Sequence, residues 1–338
     1  MKFDNVSIVG VTHVDAPHRI PSEDLDARMA ETYRRLGMPA RLLESLTGVK
    51  ARRFWDRETR PSDAATLAGR KILAETGIEA NRIGALINTS VCRDYVEPSV
   101  ACFVHANLGL PETCLNFDIA NACLGFIDGM QVVGNLIERG QIDYGLVVDG
   151  ESSRTVVEAT LERLSAPTCD AAMLRDQLAT LTVGSGAAAM VLAHTRLAPS
   201  GHRFLGSTGL AATAHNQLCR GQIDVGITDT RNLLINGVDL ARRTWERAQE
   251  QLGWDADAVD LFALHQVSEL HTQELARAVG FDLSKAFLIY PELGNVGPAS
   301  VPIVLSKALE AERIAPGDRI VLGGIGSGLN CTVAGIVW

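Results

Sequence analysis

The sequence predicts an α/β protein. Short apolar runs of strand length alternate along its 338 residues with longer amphipathic stretches. Most of these runs are continuously apolar, which is typical of strands covered by helices on both faces. Hydrophobic residues make up 46% of the chain, enough for a sizeable core in two domains or one duplicated domain.

Seven apolar runs are the candidate strands, and the order of the later ones indicates an internal repeat. In each half of the chain a strand is followed by a strand–turn–helix segment, by another strand and by a long apolar run. Aligned in this way, Cys123 in the first half lies opposite Asn295 in the second. Two such halves related by a pseudo-twofold axis would meet at these positions. The predicted strands cover residues 6–10, 85–89, 144–149, 187–193, 261–265, 319–323 and 332–338.

This repeat divides the chain into an N-terminal half, residues 1–195, and a C-terminal half, residues 196–338. Residues 151–183 interrupt the pattern in the first half only, and their apolar spacing suits two helices. We expect this helical insertion to form a lid or a tunnel wall over a pocket.

Composition and charge exclude several classes of protein. The net charge of −9 opposes non-specific attraction to nucleic acid. The seven cysteines form neither paired clusters nor metal-ligand spacings, so we expect a reducing cytoplasm and no metal. No uncharged apolar run approaches the roughly 18 residues of a membrane span, and no export signal is visible.

Cys123 is the candidate nucleophile. It follows a short strand and precedes the helical run that ends near Gly140. A helix N-terminus favours a thiolate and supplies free N–H groups for an oxyanion, which are two requirements of thioester chemistry. Taken alone, a cysteine at this place is more often a small buried hydrophobic residue.

His265 and Asn295 change that balance. His265 ends a predicted strand, where ligand sites of α/β folds gather, and Asn295 lies between two glycines before a helix over residues 299–311. An imidazole and a carboxamide can donate hydrogen bonds to a thioester carbonyl and stabilise its enolate. Each alone is more often structural; at matched places in a repeat with Cys123, the catalytic interpretation is favoured.

A glycine-rich turn, residues 324–330, follows the strand at 319–323. It lacks the Lys-Ser/Thr ending of a phosphate-binding loop. A tight turn that directs the N–H of Gly328 at an acyl carbonyl beside Cys123 suits it better.

Four motifs together resemble the ketoacyl synthase III branch of the thiolase superfamily. They are NACLGF around Cys123, HQVS at His265, GNVGPAS at Asn295 and GIGSGLN near Gly328, and they occur in that order. Further segments, NTSVCRDYVEPS, PSDAATLAG, VVDGES, LCRG and GPASVPIVLSK, resemble the OleA-type acyl-CoA condensing enzymes that begin long-chain olefin biosynthesis. The resemblance implies a five-layer αβαβα fold, a homodimer, a Cys-His-Asn triad and thioester substrates.

The resemblance departs from the decarboxylating branch at the coenzyme A site. That branch places a tryptophan and an arginine where this chain has Leu42 and Leu46. The nucleotide must then be gripped by other groups. The candidates are Arg52, Arg53, Arg203 and Arg220, although surface arginines are more often solvated charges.

Glu97 is the second departure. A glutamate before Pro98 near a helix start would ordinarily be structural. The resemblance instead implies that it enters the partner subunit's pocket and removes an α-proton from an acyl chain. Such a base is needed when no CO₂ is lost, and burial would raise its pKa toward the useful range.

The implied activity is a non-decarboxylative Claisen condensation of two long-chain fatty acyl-CoAs through an acyl-Cys123 intermediate. The product is a 2-alkyl-3-keto acyl compound, passed to downstream enzymes of olefin or β-lactone synthesis, and no metal or organic cofactor is required. The main alternative is a decarboxylating 3-oxoacyl synthase III that uses a malonyl thioester. A non-catalytic partner subunit and a thioesterase are weaker alternatives.

Overall fold

Each of the seven predicted strands is present in the structure, a computed structural model that describes all residues from 1 to 338. The sequence does not predict β8, because its residues alternate between buried and accessible positions and include two glycines. The strands are β1 (Val6–Asp15), β2 (His18–Pro21), β3 (Ala51–Phe54), β4 (Ile83–Asn88), β5 (Leu115–Asp118), β6 (Tyr144–Glu151), β7 (Gly186–His194), β8 (His202–Ala211), β9 (Cys219–Gly221), β10 (Gly226–Thr228), β11 (Leu261–Leu264), β12 (Arg319–Gly326) and β13 (Asn330–Val337).

Helices connect these strands and cover both faces of the main sheet. They are α1 (Ser22–Arg28), α2 (Ala30–Leu36), α3 (Leu42–Thr47), α4 (Pro61–Thr76), α5 (Val100–Leu108), α6 (Gly125–Glu138), α7 (Arg154–Ser165), α8 (Ala171–Gln177), α9 (Thr230–Leu252), α10 (Glu269–Val279), α11 (Tyr290–Leu293) and α12 (Ser300–Glu310). None of these helices is both long and apolar enough to cross a membrane.

The main sheet has nine strands in the order β11-β12-β13-β8-β1-β7-β6-β4-β5. This order is symmetric about the junction of β1 and β8 over four strands on each side, and β5 adds a fifth strand on the β1 side. On each side an antiparallel pair is followed by a second antiparallel neighbour and then by a parallel one. β1 and β8 share only two residue pairs, so the halves meet along a short seam. The repeated architecture is confirmed; residue 195, in the connection between β7 and β8, stays a prediction as a domain boundary.

Alternating side chains build the layers. On β7, Ala188, Met190 and Leu192 face a central core that includes α6, α12 and strands of both halves. The residues between them, such as Ala189 and Val191, face a second core with α4 and α5. A third core packs α9 and α10 on the other half of the sheet. The order is therefore helices, sheet, helices, sheet, helices, and the predicted α/β fold of five layers is confirmed.

The insertion at residues 151–183 contains α7 and α8, as predicted, followed by a 3-10 helix at Leu178–Thr182. Leu161, Leu164 and Leu174 pack in a separate apolar cluster with Tyr33 and Leu43 of the N-terminal helices. This cluster fixes the insertion to the body of the protein, so that its last residues reach the site described next.

Candidate active site

The turn between β5 and α6 carries Cys123. Ala122 has a φ of +46°, a left-handed conformation that a residue with a side chain rarely adopts. Gly125 begins α6, and a Cβ on it would lie 2.7 Å from the carbonyl oxygen of Thr89, so this position needs glycine. The structure thus places Cys123 just before the N-terminus of α6, where the sequence predicts it.

The surroundings of Cys123 oppose ionisation in the free chain. Burial raises the pKa of its thiol to about 12, and nearby Cys219, Glu151 and Asp149 act in the same direction. The sequence-based expectation of a thiolate at the helix N-terminus is therefore not met in the unliganded chain, because desolvation outweighs the helix.

His265 and Asn295 lie together, as predicted. His265 is 4% exposed, and its Nε2 is 3.0 Å from Oδ1 of Asn295. The N–H of Gly297 also donates to that Oδ1, at 3.0 Å, which identifies the oxygen as an acceptor and His265 Nε2 as a donor. Burial lowers the pKa of His265 to about 4, so the imidazole is neutral. Nδ2 of Asn295 makes no hydrogen bond within the chain and is free to donate to a ligand.

The end of the insertion holds the backbone of Asn295. Its N–H donates to the carbonyl of Thr182 at 2.9 Å, and its carbonyl accepts from Gly184 at 2.8 Å. Gly294, with a φ of +67°, permits this approach: a Cβ on it would lie 2.2 Å from the oxygen of Thr182. The insertion thus positions a candidate catalytic residue.

The glycine-rich turn joins β12 to β13 beside Cys123. Nδ2 of Asn330 donates to Oδ1 of Asn121 at 3.1 Å, which ties this turn to the one that carries the cysteine. Gly328 has a φ of +134°, open to glycine and strained for other residues. The N–H groups of Gly328 and Cys123 donate to no acceptor in the chain and are available to a substrate oxygen.

Shared neighbours bring the turns and strands to one place. A Cβ on Gly324 would lie 3.0 Å from Cβ of His265 and 3.2 Å from Cδ2 of Leu124, the residue after Cys123. The glycine therefore allows close contact between the cysteine turn and the histidine strand. Cys123, His265, Asn295 and the Gly328 turn form one site, as the repeat predicts.

Glu97 lies on the loop between β4 and α5. It is exposed and makes neither a hydrogen bond nor an ion pair within the chain. The burial expected for a catalytic base is therefore absent in the single subunit. Its role remains a proposal.

The four arginines predicted as candidates for nucleotide binding differ in burial and in hydrogen bonding. The prediction that Arg52 binds the nucleotide is wrong, because its side chain is fully buried. Its guanidinium donates to the carbonyl of Ile20 and the hydroxyl of Ser22, and burial lowers its pKa to about 10. Arg53 donates to a backbone carbonyl. Arg203 lies near the start of β8, at the end of the strand that is far from the Gly328 turn. Arg220, exposed on β9 beside Cys219, makes no side-chain hydrogen bond or ion pair and remains available.

Sequence reasoning missed two buried carboxyl groups, Asp149 and Glu151, at the end of β6. Burial raises the pKa of both, and for Asp149 the neighbouring Glu151 adds to the effect. Their spacing of two residues on a strand places them on the same face, and this spacing could have identified the pair from the sequence.

His271 was also missed. Burial, with His265 nearby, lowers its pKa to about 3. No group of three His, Cys, Asp or Glu side chains is arranged to hold a metal ion.

Family models match two stretches of the chain. Residues 117–211 match 3-oxoacyl-[acyl-carrier-protein] synthase III, and residues 249–338 match the C-terminal part of that family. The acyl-CoA:acyl-CoA alkyltransferase of Xanthomonas campestris pv. campestris is 50% identical over 338 residues, all of both chains. The enzyme of the same name from Shewanella oneidensis is 38% identical over the whole of both chains.

A crystal structure of cerulenin-bound OleA from Xanthomonas campestris superposes with a TM-score of 0.99 at 50% identity, covering 100% of this chain and 98% of that one. Other structures of that protein carry replacements of a glutamate, a cysteine and a histidine, separated along its chain by 26 and 142 residues. Glu97, Cys123 and His265 are separated by the same two intervals. The chain belongs to the acyl-CoA:acyl-CoA alkyltransferase (OleA) family, transferases of the ketoacyl synthase III branch of the thiolase superfamily.

Proposed function

We propose that this enzyme joins two long-chain fatty acyl-CoA molecules by a non-decarboxylative Claisen condensation. The observation that carries the proposal is full-length similarity to the alkyltransferases together with a free Asn295 amide and a neutral His265 beside Cys123. The product is a β-keto acid with a 2-alkyl branch. It would pass to downstream enzymes of olefin or β-lactone synthesis.

In the first half-reaction the sulfur of Cys123 attacks the thioester carbonyl of one acyl-CoA. The tetrahedral oxyanion accepts hydrogen bonds from the N–H groups of Cys123 and Gly328, which have no acceptor in the free chain. Coenzyme A leaves with the thiol proton, and the acyl group stays on Cys123. Because burial raises the pKa of the thiol to about 12, we assign its deprotonation to the complex with substrate.

In the second half-reaction another acyl-CoA places its thioester carbonyl against Asn295 and His265. Nδ2 of Asn295 donates to the thioester carbonyl oxygen. Nε2 of His265 either donates to that oxygen as well or orients the Asn295 amide by donating to its Oδ1. Both groups stabilise the enolate by donating hydrogen bonds and not by transferring a proton. His265 has no acidic proton to transfer, because its lowered pKa keeps the imidazole neutral. The α-carbon then attacks the acyl carbon on Cys123, and the cysteine sulfur leaves as a thiolate that is protonated again. This step forms a 2-alkyl-3-ketoacyl-CoA thioester, and its hydrolysis by water releases the second coenzyme A and the β-keto acid.

Glu97 is the base that removes the α-proton, acting in the pocket of a second subunit. In the relative, a glutamate at the matching interval has been replaced in several solved structures. The single chain leaves Glu97 exposed near an apolar surface that includes Val91, Val96 and the edge strand β5 with Leu115 and Phe117. An exposed apolar edge strand is normally covered, which supports a homodimer formed on this side.

The decarboxylating synthase remains the alternative, since it needs Cys123, His265 and Asn295 equally. It has no use for a base in the position of Glu97. We further propose a cytoplasmic location and catalysis with neither metal nor organic cofactor; a cytoplasm is reducing and would keep the seven free cysteines unpaired.

The deciding experiment incubates the pure protein with lauroyl-CoA alone, the acyl-CoA bound in one structure of the relative. Mass spectrometry should detect the 2-alkyl β-keto acid or the ketone formed from it. Product that appears only after a malonyl thioester is added would establish the decarboxylating alternative.

A further inference from the structure

The loop of residues 91–99 carries Glu97 and has no regular secondary structure. Val96 is 90% exposed, and Glu97 itself bonds to nothing in the chain. The direction of Glu97 therefore depends on how the backbone of the loop is held. Within the loop, Asp94 accepts hydrogen bonds from the N–H and the hydroxyl of Ser62, and both ends of the loop are held as well.

Glu151 holds the first end. It is 5% exposed at the end of β6, and its Oε1 accepts the N–H of Val91 at 2.6 Å while its Oε2 accepts the N–H of Cys92 at 3.3 Å. The sulfur of Cys92 lies 3.3 Å from the carbonyl oxygen of Ser152, which adds a third contact at the same end of the strand.

Asp118 holds the other end. Its Oδ2 accepts the N–H of Val100 at 3.0 Å and its Oδ1 accepts the N–H of Ala101 at 2.9 Å, in the first turn of α5. Nδ2 of Asn88 donates to the same carboxylate at 3.2 Å. Asp118 is the last residue of β5, and the turn with Cys123 follows it directly.

We propose that Glu151 and Asp118 form a pair of carboxylate anchors that positions the Glu97 loop relative to the site that contains Cys123. Both anchors lie at the carboxyl ends of strands of the first half-sheet, and β4 pairs with each of those strands. The loop and the cysteine turn are thus fixed to the same rigid edge. Each anchor is a positioning residue, and this assignment rests on the proposed base role of Glu97.

Two acceptor oxygens explain why these residues are carboxylates. A carboxylate accepts two N–H groups at once, whereas an amide of the same shape offers one oxygen and turns an NH₂ group toward the second donor. Glu151→Gln and Asp118→Asn therefore remove one anchor bond each and keep side-chain size. Asp143→Asn is the matched control, because Asp143 pairs with Arg196 on the surface away from the loop.

The test separates the two half-reactions with lauroyl-CoA as the probe. We expect each anchor variant to lower the kcat of condensation by about tenfold or more, because misplacing a catalytic group by about 1 Å is costly. Formation of acyl-Cys123, followed by intact mass, should change less than about threefold in Asp118→Asn, since it does not use Glu97. In Glu151→Gln it should be no slower than in the wild type, because the Glu151 charge helps to raise the pKa of the Cys123 thiol. Asp143→Asn should match the wild type in both.

Equal losses in both half-reactions would show that the anchors only maintain the fold, and unchanged condensation would show that they do not position Glu97. If the wild type itself makes no product from lauroyl-CoA alone, the proposed function fails, which is a different result. If the variants do not fold, amide hydrogen exchange of the wild type tests the proposal instead. Slow exchange is expected at Val91, Cys92, Val100 and Ala101 and fast exchange at Val96; fast exchange at both ends would overturn the proposal.

Discussion

The cysteine centre and the Glu97 loop are held by the chain in opposite ways. Cys123, His265 and Asn295 lie among buried strands, and tight turns and glycine contacts fix their positions. Glu97 lies on an exposed loop that is held at its two ends and, through Asp94, at Ser62. This difference fits the proposed mechanism, in which one subunit contains the groups for acylation and Glu97 acts as the α-carbon base where a second subunit meets this surface.

Removing the nucleophile is expected to have the largest effect. Cys123→Ala should abolish acylation by lauroyl-CoA and reduce product formation by about 10³-fold or more. Intact mass should gain one acyl group in the wild type and in Cys102→Ala, a matched change of an exposed cysteine, and none in Cys123→Ala. Acylation of the Cys123→Ala protein would place the nucleophile elsewhere.

Removing the enolate donors should have the next largest effect. We expect Asn295→Ala or His265→Ala to reduce condensation by about 10²- to 10³-fold, because each removes a hydrogen bond that strengthens as the enolate forms. Acyl-Cys123 should still accumulate, since the N–H groups of Cys123 and Gly328 remain. Rapid quench and mass analysis of the acyl-enzyme measures both steps, and failure to acylate would assign these residues to the first half-reaction.

Glu97→Gln tests the contrast between the two regions directly. The variant should form acyl-Cys123 yet lose about 10²-fold or more in condensation. Mixing its subunits with Cys123→Ala subunits should restore about a quarter of wild-type activity, because half of the dimers are then mixed and each has one complete site. Absence of restoration, with subunit exchange verified, would place Glu97 in its own subunit's site.

The pH dependence of stability should report the buried His265, whose effect has the same sign as that of the buried His271. In the unfolded chain His265 takes up a proton near pH 6.5, whereas burial lowers the pKa of the folded form to about 4. Its contribution is therefore present above pH 6.5 and is lost as the pH falls toward 4, by about 1.5 kcal/mol between pH 6.5 and 5.

Urea unfolding at both pH values, compared with His265→Asn, isolates this contribution from Asp149 and Glu151. Their raised pKa values act in the opposite direction, because their protonation favours the folded state as the pH falls. The variant should lose less stability on acidification than the wild type. An equal loss in the two proteins would refute the assignment.

The smallest expected effect compares backbone strain in the two regions. Ala122→Gly should raise the free energy of unfolding by up to about 1 kcal/mol, because glycine adopts the left-handed conformation at little cost. Val96→Ala, on the exposed loop, should leave it unchanged. A clear destabilisation by Ala122→Gly would mean that packing of the methyl group matters more than its φ.

The sequence alone determined the features that depend on local pattern. Apolar runs located the seven strands, the repeat placed Cys123 opposite Asn295, and motif spacing added His265 and Gly328. These signals can be read from the sequence because strand periodicity, turn glycines and helix starts depend on residues that are close together along the chain.

Only the tertiary structure decided what depends on contacts between distant segments. It buried Arg52 away from any nucleotide, brought Thr182 of the insertion to the backbone of Asn295, and enclosed Cys123 so that desolvation opposes its ionisation. It also joined Glu151 and Asp118 to the two ends of the Glu97 loop. Burial and pKa are set by everything that surrounds a group, and residues far apart in the sequence supply most of those surroundings.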